Sequence, residues 1–281
     1  MGEGALRFAV AAWVVAVGAA VGSFLNVVVA RVPEGESVVR PRSRCLACRR
    51  PIAWYDNLPV VSWVLLRGRC RACDARISPR YVVIEVLGAA AAWLAWRRHG
   101  LSIEAAVELA FVAVLLALAA IDVDRWELPY QLTRPLVVLG LAASALSFTP
   151  ARGFSASALG GAIGFGAFWI VRKLGLLLAK REAMGVGDLW LLSGLGAYLG
   201  AAPLLPVVML ASIQGSLVGL ALMALGKAQP GPDPDRPLSD GSWVPPRNGV
   251  PFGPFLVLGA LEWLYLAAPL ATLVPALEIY R

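Results

Sequence analysis

The stretch FAVAAWVVAVGAAVGSFLNVVV, residues 8–29, contains no charged side chain. It is as long as a membrane-spanning helix, which needs about 20 predominantly apolar residues. Similar apolar runs recur along most of the 281-residue chain, which is 59% hydrophobic and only 15% charged. A soluble domain has roughly 45–50% apolar and about 25% charged residues. The composition therefore excludes a disordered chain and predicts a multi-pass membrane protein.

The polar stretch that follows this run, residues 33–80, indicates the orientation. It carries ten arginines, opposed only by Glu34, Glu36, Asp56 and Asp74. Loops rich in arginine and lysine stay in the cytoplasm. We therefore expect residues 8–29 to be retained as a first span, since a strongly basic start and a small-residue cleavage site are missing. The net charge of +7 is attributed to topology and lipid contact, and no nucleic-acid partner is expected.

Alternation from this loop predicts about eight membrane-spanning helices in an all-α polytopic fold. The predicted spans are residues 8–29, 81–96, 101–121, 136–148, 155–171, 189–200, 204–226 and 252–273. Residues 97–100 are predicted to form an outer turn, and 122–135, 172–188 and 227–250 cytoplasmic connections, the last of them Pro/Gly/Asp-rich. Two of the spans are short and need flanking residues to cross. The glycines at 160, 161, 164 and 166 are expected to let helices pack closely.

All four cysteines lie in the basic loop, as Cys45-Leu-Ala-Cys48 and Cys70-Arg-Ala-Cys73. Two C-x-x-C pairs at this spacing predict a tetrahedral Cys₄ zinc site. The reducing cytosol argues against disulfides. Four protein ligands leave no open coordination position, so the zinc is expected to be structural and to fold a small cytoplasmic loop domain. Its hydrophobic core is predicted to come from four side chains, those of Trp54, Tyr55, Trp63 and Leu65.

Acidic residues at the ends of two spans are candidate catalytic groups, because charges at these positions are costly. Asp122 ends the third predicted span, and Asp188 begins the sixth within Gly185-Val-Gly187-Asp188. If these helices pack together, the two carboxylates face one another and share a proton. Such a pair hydrolyses an amide, the ionised group activating water and the protonated one polarising the carbonyl. Asp124 is an alternative first member.

Other interpretations stay open for these acids. The aspartates can instead cap helices or pair with Arg125, Arg134 or Lys180. Glu85, Glu104 and Glu108 are expected to make interhelical hydrogen bonds or to face solvent. His99 is the single histidine, and its predicted place on the outer face argues against Ser-His or Cys-His chemistry at the cytoplasmic side.

With these motifs the chain resembles the type IV prepilin peptidases, the bifunctional leader peptidase/N-methyltransferase family. The resemblance rests on six features in order along the chain. They are Gly22-Ser-Phe-Leu-Asn26 with Arg31 and Pro33, the two C-x-x-C pairs, Ile77-Ser-Pro-Arg-Tyr81, Asp122-x-Asp124 with Leu128-Pro129, Gly185-x-Gly187-Asp188, and Pro251-Phe-Gly-Pro-Phe255.

The resemblance implies an inner-membrane aspartic peptidase of the G-x-G-D type with its site at the cytoplasmic face. It implies catalytic roles for Asp122 and Asp188, cleavage of the basic leader of prepilins and pseudopilins, and methylation of the new N-terminal residue with S-adenosylmethionine. The zinc loop of the family falls on Cys45, Cys48, Cys70 and Cys73. The implied organisation is a first helix at 1–32, a methyltransferase-associated zinc domain at 33–80, and a peptidase domain at 81–281. The pocket for the methyl donor and the oligomeric state are not indicated.

Two positions depart from the family pattern. Trp190 stands where the family usually has lysine, and Tyr130 where an acidic or amide residue is common. Neither changes the aspartate pair. Two functions of other classes remain as alternatives: an ion- or proton-coupled transporter that uses the acids as a relay, and a scaffold that binds a partner through the zinc loop.

Overall fold

The computed structural model describes residues 2–151, 153–179, 184–226 and 249–273. Within these ranges the chain forms α-helices and one 3₁₀ turn at Trp54–Asn57, with extended pairing limited to two isolated bridges. The helices are α1 (Glu3–Arg31), α2 (Val61–Leu65), α3 (Arg80–His99), α4 (Ile103–Arg125), α5 (Tyr130–Ala145), α6 (Phe154–Ala179), α7 (Val186–Leu199), α8 (Leu204–Ala224) and α9 (Gly253–Leu273). The predicted all-α class is confirmed.

Each predicted span coincides with one long helix. Four helices in the described part of the chain are long and apolar enough to cross a bilayer: α1, α4, α8 and residues 154–178 of α6. The apolar helix α7 and the apolar residues 253–267 of α9 are shorter. The chain is therefore a membrane protein, and the count of eight spans stays a prediction.

Two predicted connections are shorter than expected. The fifth predicted span does not end at Val171, because α6 continues to Ala179 through its apolar final turns. The connection predicted at residues 122–135 also shrinks to residues 126–129, since α5 begins at Tyr130. Pro135 is the sixth residue of α5, so it supplies no N–H for the bond to the carbonyl four residues earlier, and the helix continues past it to Ala145. Of the predicted linker at 227–250, residues 227–248 lie outside the described residues.

The contacts divide the chain into two compact units, Met1–Ala117 and Leu118–Arg281. In the first unit α1 and α3 pack through glycines. A Cβ on Gly18 would lie 2.5 Å from the carbonyl oxygen of Gly88, and one on Gly22 would lie 2.6 Å from the Cα of Glu85. This backbone approach is typical of helices that pair in lipid. The buried Asn26 strengthens the pair, since its Nδ2 donates to the carbonyl of Tyr81 at 3.0 Å.

In the second unit α7 is the central helix, with all its residues from Leu189 to Leu199 buried except Trp190. It packs chiefly against α5 and α6. The backbones of Gly160 and Gly196 are in direct contact, so the prediction of glycine packing is confirmed there. It is wrong for Gly166, where an added Cβ would meet nothing within 4 Å.

Candidate functional site

The four cysteine sulfurs come together in the first unit. They lie within 4.8 Å of one another, and the Cys45 and Cys73 Sγ atoms are 3.8 Å apart. Tetrahedral zinc with Zn–S bonds of 2.3 Å requires sulfur–sulfur distances of about 3.8 Å. The donor set and its spacing therefore fit a four-coordinate metal ion, and the predicted cluster is confirmed.

The two C-x-x-C segments have the same backbone geometry. The Cys45 amide donates to the Arg50 carbonyl at 3.0 Å, and the Cys70 amide donates to that of Ala75 at 2.9 Å. The residue after each second cysteine is left-handed, with φ of 57° at Arg49 and 59° at Asp74. Each turn thus points two thiols to one side, as a shared ion requires.

The predicted core of the cysteine loop is wrong for three of its four residues. Trp54, Tyr55 and Leu65 are 71%, 51% and 76% exposed. Only Trp63 is partly buried: its Nε1 donates to the carbonyl of Ile77 at 3.2 Å. The loop has little hydrophobic core of its own, so a bound metal would supply much of its cohesion.

Polar bonds attach the segment before the second cysteine pair to both the cysteine loop and α3. Arg71 forms a bidentate ion pair with Asp56, with its closest contact at 2.7 Å, and this hydrogen-bonded guanidinium lowers the pKa of Asp56. The buried carboxylate of Glu85 accepts the amide of Val60 at 2.7 Å. Val60 has φ of 61°, which is rare for a β-branched residue. Glu85 therefore makes a hydrogen bond, as expected, but its partner is a strained turn and not another helix.

A cavity of about 350 Å³ lies between α1 and this segment. The α1 side contributes the apolar Phe24 and Val27 and, at its C-terminal end, the cationic Arg31. The opposite side combines Arg42 and Asn57 with apolar valines and prolines. The cavity therefore suits an amphipathic ligand that has an anionic group. No sequence motif predicted it, because its lining residues are scattered between positions 20 and 59.

In the second unit Asp122 is buried near the end of α4, with 6% of its surface exposed. Its Oδ2 accepts the backbone N–H of Gly253, the first residue of α9, at 3.0 Å. Gly253 is required there, because an added Cβ would lie 2.6 Å from the same oxygen. Asp124, the alternative, is exposed and lies outside this arrangement.

Asp188 lies in the first turn of α7 and is partly exposed. The two carboxylates are close enough for the charge of Asp122 to act on Asp188. The buried Leu128 links the two positions: a Cβ on Gly187 would lie 2.6 Å from that of Leu128, and one on Gly253 would lie 3.3 Å from its Cδ1. The two aspartates therefore lie around one residue, and their pairing as catalytic groups stays a prediction.

The remaining candidates have structural partners or lie apart. Glu108 is 1% exposed, and its Oε2 accepts from Arg98 at 2.7 Å and contacts His99 at 3.0 Å. Glu104 is only partly buried near the start of α4. Arg134 forms no ion pair among the described residues, so it does not neutralise either aspartate, and Lys180 lies outside them. The bond from Gly253 was not predicted, because no local pattern links residues 131 positions apart.

One buried and one partly exposed aspartate, together with a tetrathiol cluster on a chain with helices long enough to cross a bilayer, are typical of a membrane-associated hydrolase with a metal-binding loop. Two family profiles match the chain. Residues 16–99 match the bacterial peptidase A24 N-terminal domain, and residues 109–220 match the type IV leader peptidase family.

Curated relatives agree with this match. The prepilin leader peptidase/N-methyltransferase of Myxococcus xanthus is 39% identical over 92% of this chain and 91% of its own length. That of Stutzerimonas stutzeri is 34% identical over 88% of both chains. The type 4 prepilin-like proteins leader peptide-processing enzyme of Escherichia coli is 32% identical over 89% of this chain and 92% of its own. No solved structure matches. The chain belongs to the type IV leader peptidase family, and the predicted resemblance is confirmed.

Proposed function

We propose that this protein is a membrane-embedded aspartic endopeptidase that removes the leader of type IV prepilins and pseudopilins and N-methylates the new N-terminal residue. The observation that supports the peptidase activity is the placement of both aspartates around the buried Leu128. An added Cβ on Gly253 would lie 2.6 Å from Oδ2 of Asp122, and one on Gly187, beside Asp188, would lie 2.6 Å from the Cβ of Leu128. The glycines thus let the backbone lie close to the carboxylates. The names of the relatives support the substrate class and the enzyme class.

In the proposed reaction the carboxylate pair holds one proton between its members. Asp122 accepts a hydrogen bond from Gly253, which strengthens when the acceptor is ionised, so we assign it as the base. Asp122 takes a proton from water, whose oxygen attacks the scissile carbonyl, while Asp188 donates its proton to the carbonyl oxygen. In the second step the C–N bond breaks, the leaving amine receives the proton that Asp122 took from water, and one hydroxyl of the gem-diol returns a proton to Asp188, which restores the starting pair. No side chain becomes covalently attached.

For the cysteine loop we propose a structural zinc ion held by all four thiolates. The sulfur spacing supports this proposal, and full ligation leaves no position for a catalytic water. The ion would hold the loop and, through Arg71 and Asp56, the turn at residues 54–57. The methyltransferase-associated region would then be residues 33–80, as the sequence predicted, with residues 81–281 as the peptidase part.

For the methyl donor, S-adenosylmethionine, we propose the cavity beside α1. Arg31 and Arg42 would pair with its carboxylate, Phe24 would contact its base, and Asn57 would hydrogen-bond to the base or the ribose. The donor supplies an electrophilic methyl group. The chain holds it against the apolar wall of α1, which would exclude water from the reacting amine.

The proposed location is the inner membrane, with the carboxylate pair at the cytoplasmic face and membrane lipid around the apolar helices. The ten arginines of residues 33–80 support this orientation. The transporter alternative lacks support, because the interacting acids lie at helix ends and every relative named above is a processing enzyme.

The test uses the full-length protein in detergent with a prepilin substrate and a labelled methyl donor. Asp122→Asn and, separately, Asp188→Asn are expected to lower the rate of leader cleavage by about 10²–10⁴-fold, the usual contribution of a general acid or base. Methylation of a synthetic, already cleaved peptide is expected to remain. Asp124→Asn is the matched control and should cleave normally. Cleavage that survives in either of the first two variants would refute the assignment.

A further inference from the structure

Arg134 is exposed on α5, and two aromatic rings hold its guanidinium. Its Cζ lies 4.7 Å from the ring centroid of Tyr130, one turn earlier in α5, and 5.4 Å from that of Trp190 in α7. Trp190 in turn contacts Phe165 of α6 edge to face, with centroids 5.2 Å apart and planes at 66°. A continuous row of side chains therefore joins three helices.

This row lies at the starts of α5 and α7, next to the two aspartates in sequence. Asp122 is near the end of α4, and only residues 126–129 separate that helix from the first turn of α5, which carries Tyr130. Asp188 lies in the first turn of α7, and Trp190 follows it by two residues. Because α7 packs chiefly on α5 and α6, the spacing of the carboxylates depends on how the starts of α5 and α7 are aligned.

We propose that Tyr130, Arg134 and Trp190 form a cation–π clamp whose role is to position Asp188 relative to Asp122. This inference rests on the proposed peptidase function. The three are positioning residues, since no hydrogen bond or ion pair joins any of them to either carboxylate within the described residues. The clamp also explains why this chain departs from the family pattern at Tyr130 and Trp190. Both rings stack on the guanidinium of Arg134, so the two residues serve one interaction.

The clamp requires both the charge of the guanidinium and the flat faces of the aromatic rings. An arginine stacks flat on aromatic rings and keeps its charge at all working pH values. Removing the charge, as in Arg134→Met, keeps most of the volume and loses the attraction. Trp190→Lys is more disruptive, because it brings an ammonium group against the guanidinium. Combining Arg134→Met with Trp190→Lys removes that repulsion.

The experiment measures kcat and KM for leader cleavage with the full-length protein in detergent. Arg134→Met is expected to lower kcat about tenfold with little change in KM, since misplacement of reacting groups by about 1 Å costs up to 100-fold. Trp190→Lys is expected to lose more, and the Arg134→Met/Trp190→Lys double variant to recover part of that loss. The matched control is Lys173→Met: Lys173 lies 5.7 Å from the ring of Trp169 within α6 and joins no two helices. Its kcat should stay within about twofold of wild type.

Methylation of an already cleaved peptide separates positioning from general instability, and it should be unchanged in all these variants. A kcat for Arg134→Met equal to that of Lys173→Met, or a double variant no better than Trp190→Lys, would overturn the clamp. If the wild-type protein cleaves no prepilin, the proposed function itself fails. Thermal unfolding then tests the clamp independently. The decreases in Tm caused by Arg134→Met and Trp190→Leu should be non-additive in the double variant, and additive decreases would refute the clamp.

Discussion

Gly253→Ala tests the carboxylate site through the smallest change that the structure allows. The added Cβ would lie 2.6 Å from Oδ2 of Asp122 and 3.2 Å from its carboxyl carbon. Ordinary contact begins near 3.4 Å, so the carboxylate has to move by about 0.8 Å. The backbone of Gly253 is not left-handed, so alanine itself introduces no conformational strain there.

A displacement of this size predicts a large loss of activity with a modest loss of stability. Because misplacement of about 1 Å costs up to 100-fold, kcat should fall about 10–100-fold, equivalent to about 1.4–2.7 kcal/mol of activation free energy. Overpacking a well-packed core lowers the free energy of unfolding by about 1–3 kcal/mol. Because only one carboxylate has to move, we expect a loss of stability near the lower end of this range. Tm is therefore expected to fall by only a few degrees.

The assay compares kcat for leader cleavage, methylation of an already cleaved peptide, and Tm. Gly166→Ala is the matched control, because the same added methyl group meets nothing within 4 Å and improves helix propensity. Wild-type kcat in Gly253→Ala would refute the reasoning that this oxygen must stay in place. Equal losses of cleavage and methylation would show general damage instead.

Three further predictions address the rest of the fold. Cys70→Ser should abolish stoichiometric zinc, measured by metal analysis, and lower methylation more than cleavage; equal loss at normal protein levels would contradict separate roles for the two regions. Gly196→Ala should lower Tm, because the new methyl group collides with the Gly160 backbone of α6; an unchanged Tm would mean that these helices can separate freely. Glu85→Ala should release the strained Val60 turn and increase its proteolysis while sparing the α1–α3 pair; unchanged protection would show that the carboxylate does not hold that turn.

Much of the fold could be predicted because its signals are local. Charge-free runs such as residues 8–29 indicate helices in lipid whatever they pack against. The two C-x-x-C pairs carry their own backbone geometry, so the clustering of their four sulfurs followed from residue type and spacing. Helix ends were less predictable, because the apolar turns of α6 that end at Ala179 continue a helix that hydropathy alone had stopped at Val171.

The sequence by itself determined an all-α membrane protein, a tetrathiol cluster, and a short set of candidate aspartates at helix ends. Tertiary structure alone decided that Asp122 is buried while Asp124 is exposed, because helix positions two residues apart lie on different sides of the helix. It also decided that Gly253 bonds to Asp122 and that Arg134 stacks on Trp190. Those contacts join residues 131 and 56 positions apart, and they depend on helix packing that no local pattern encodes.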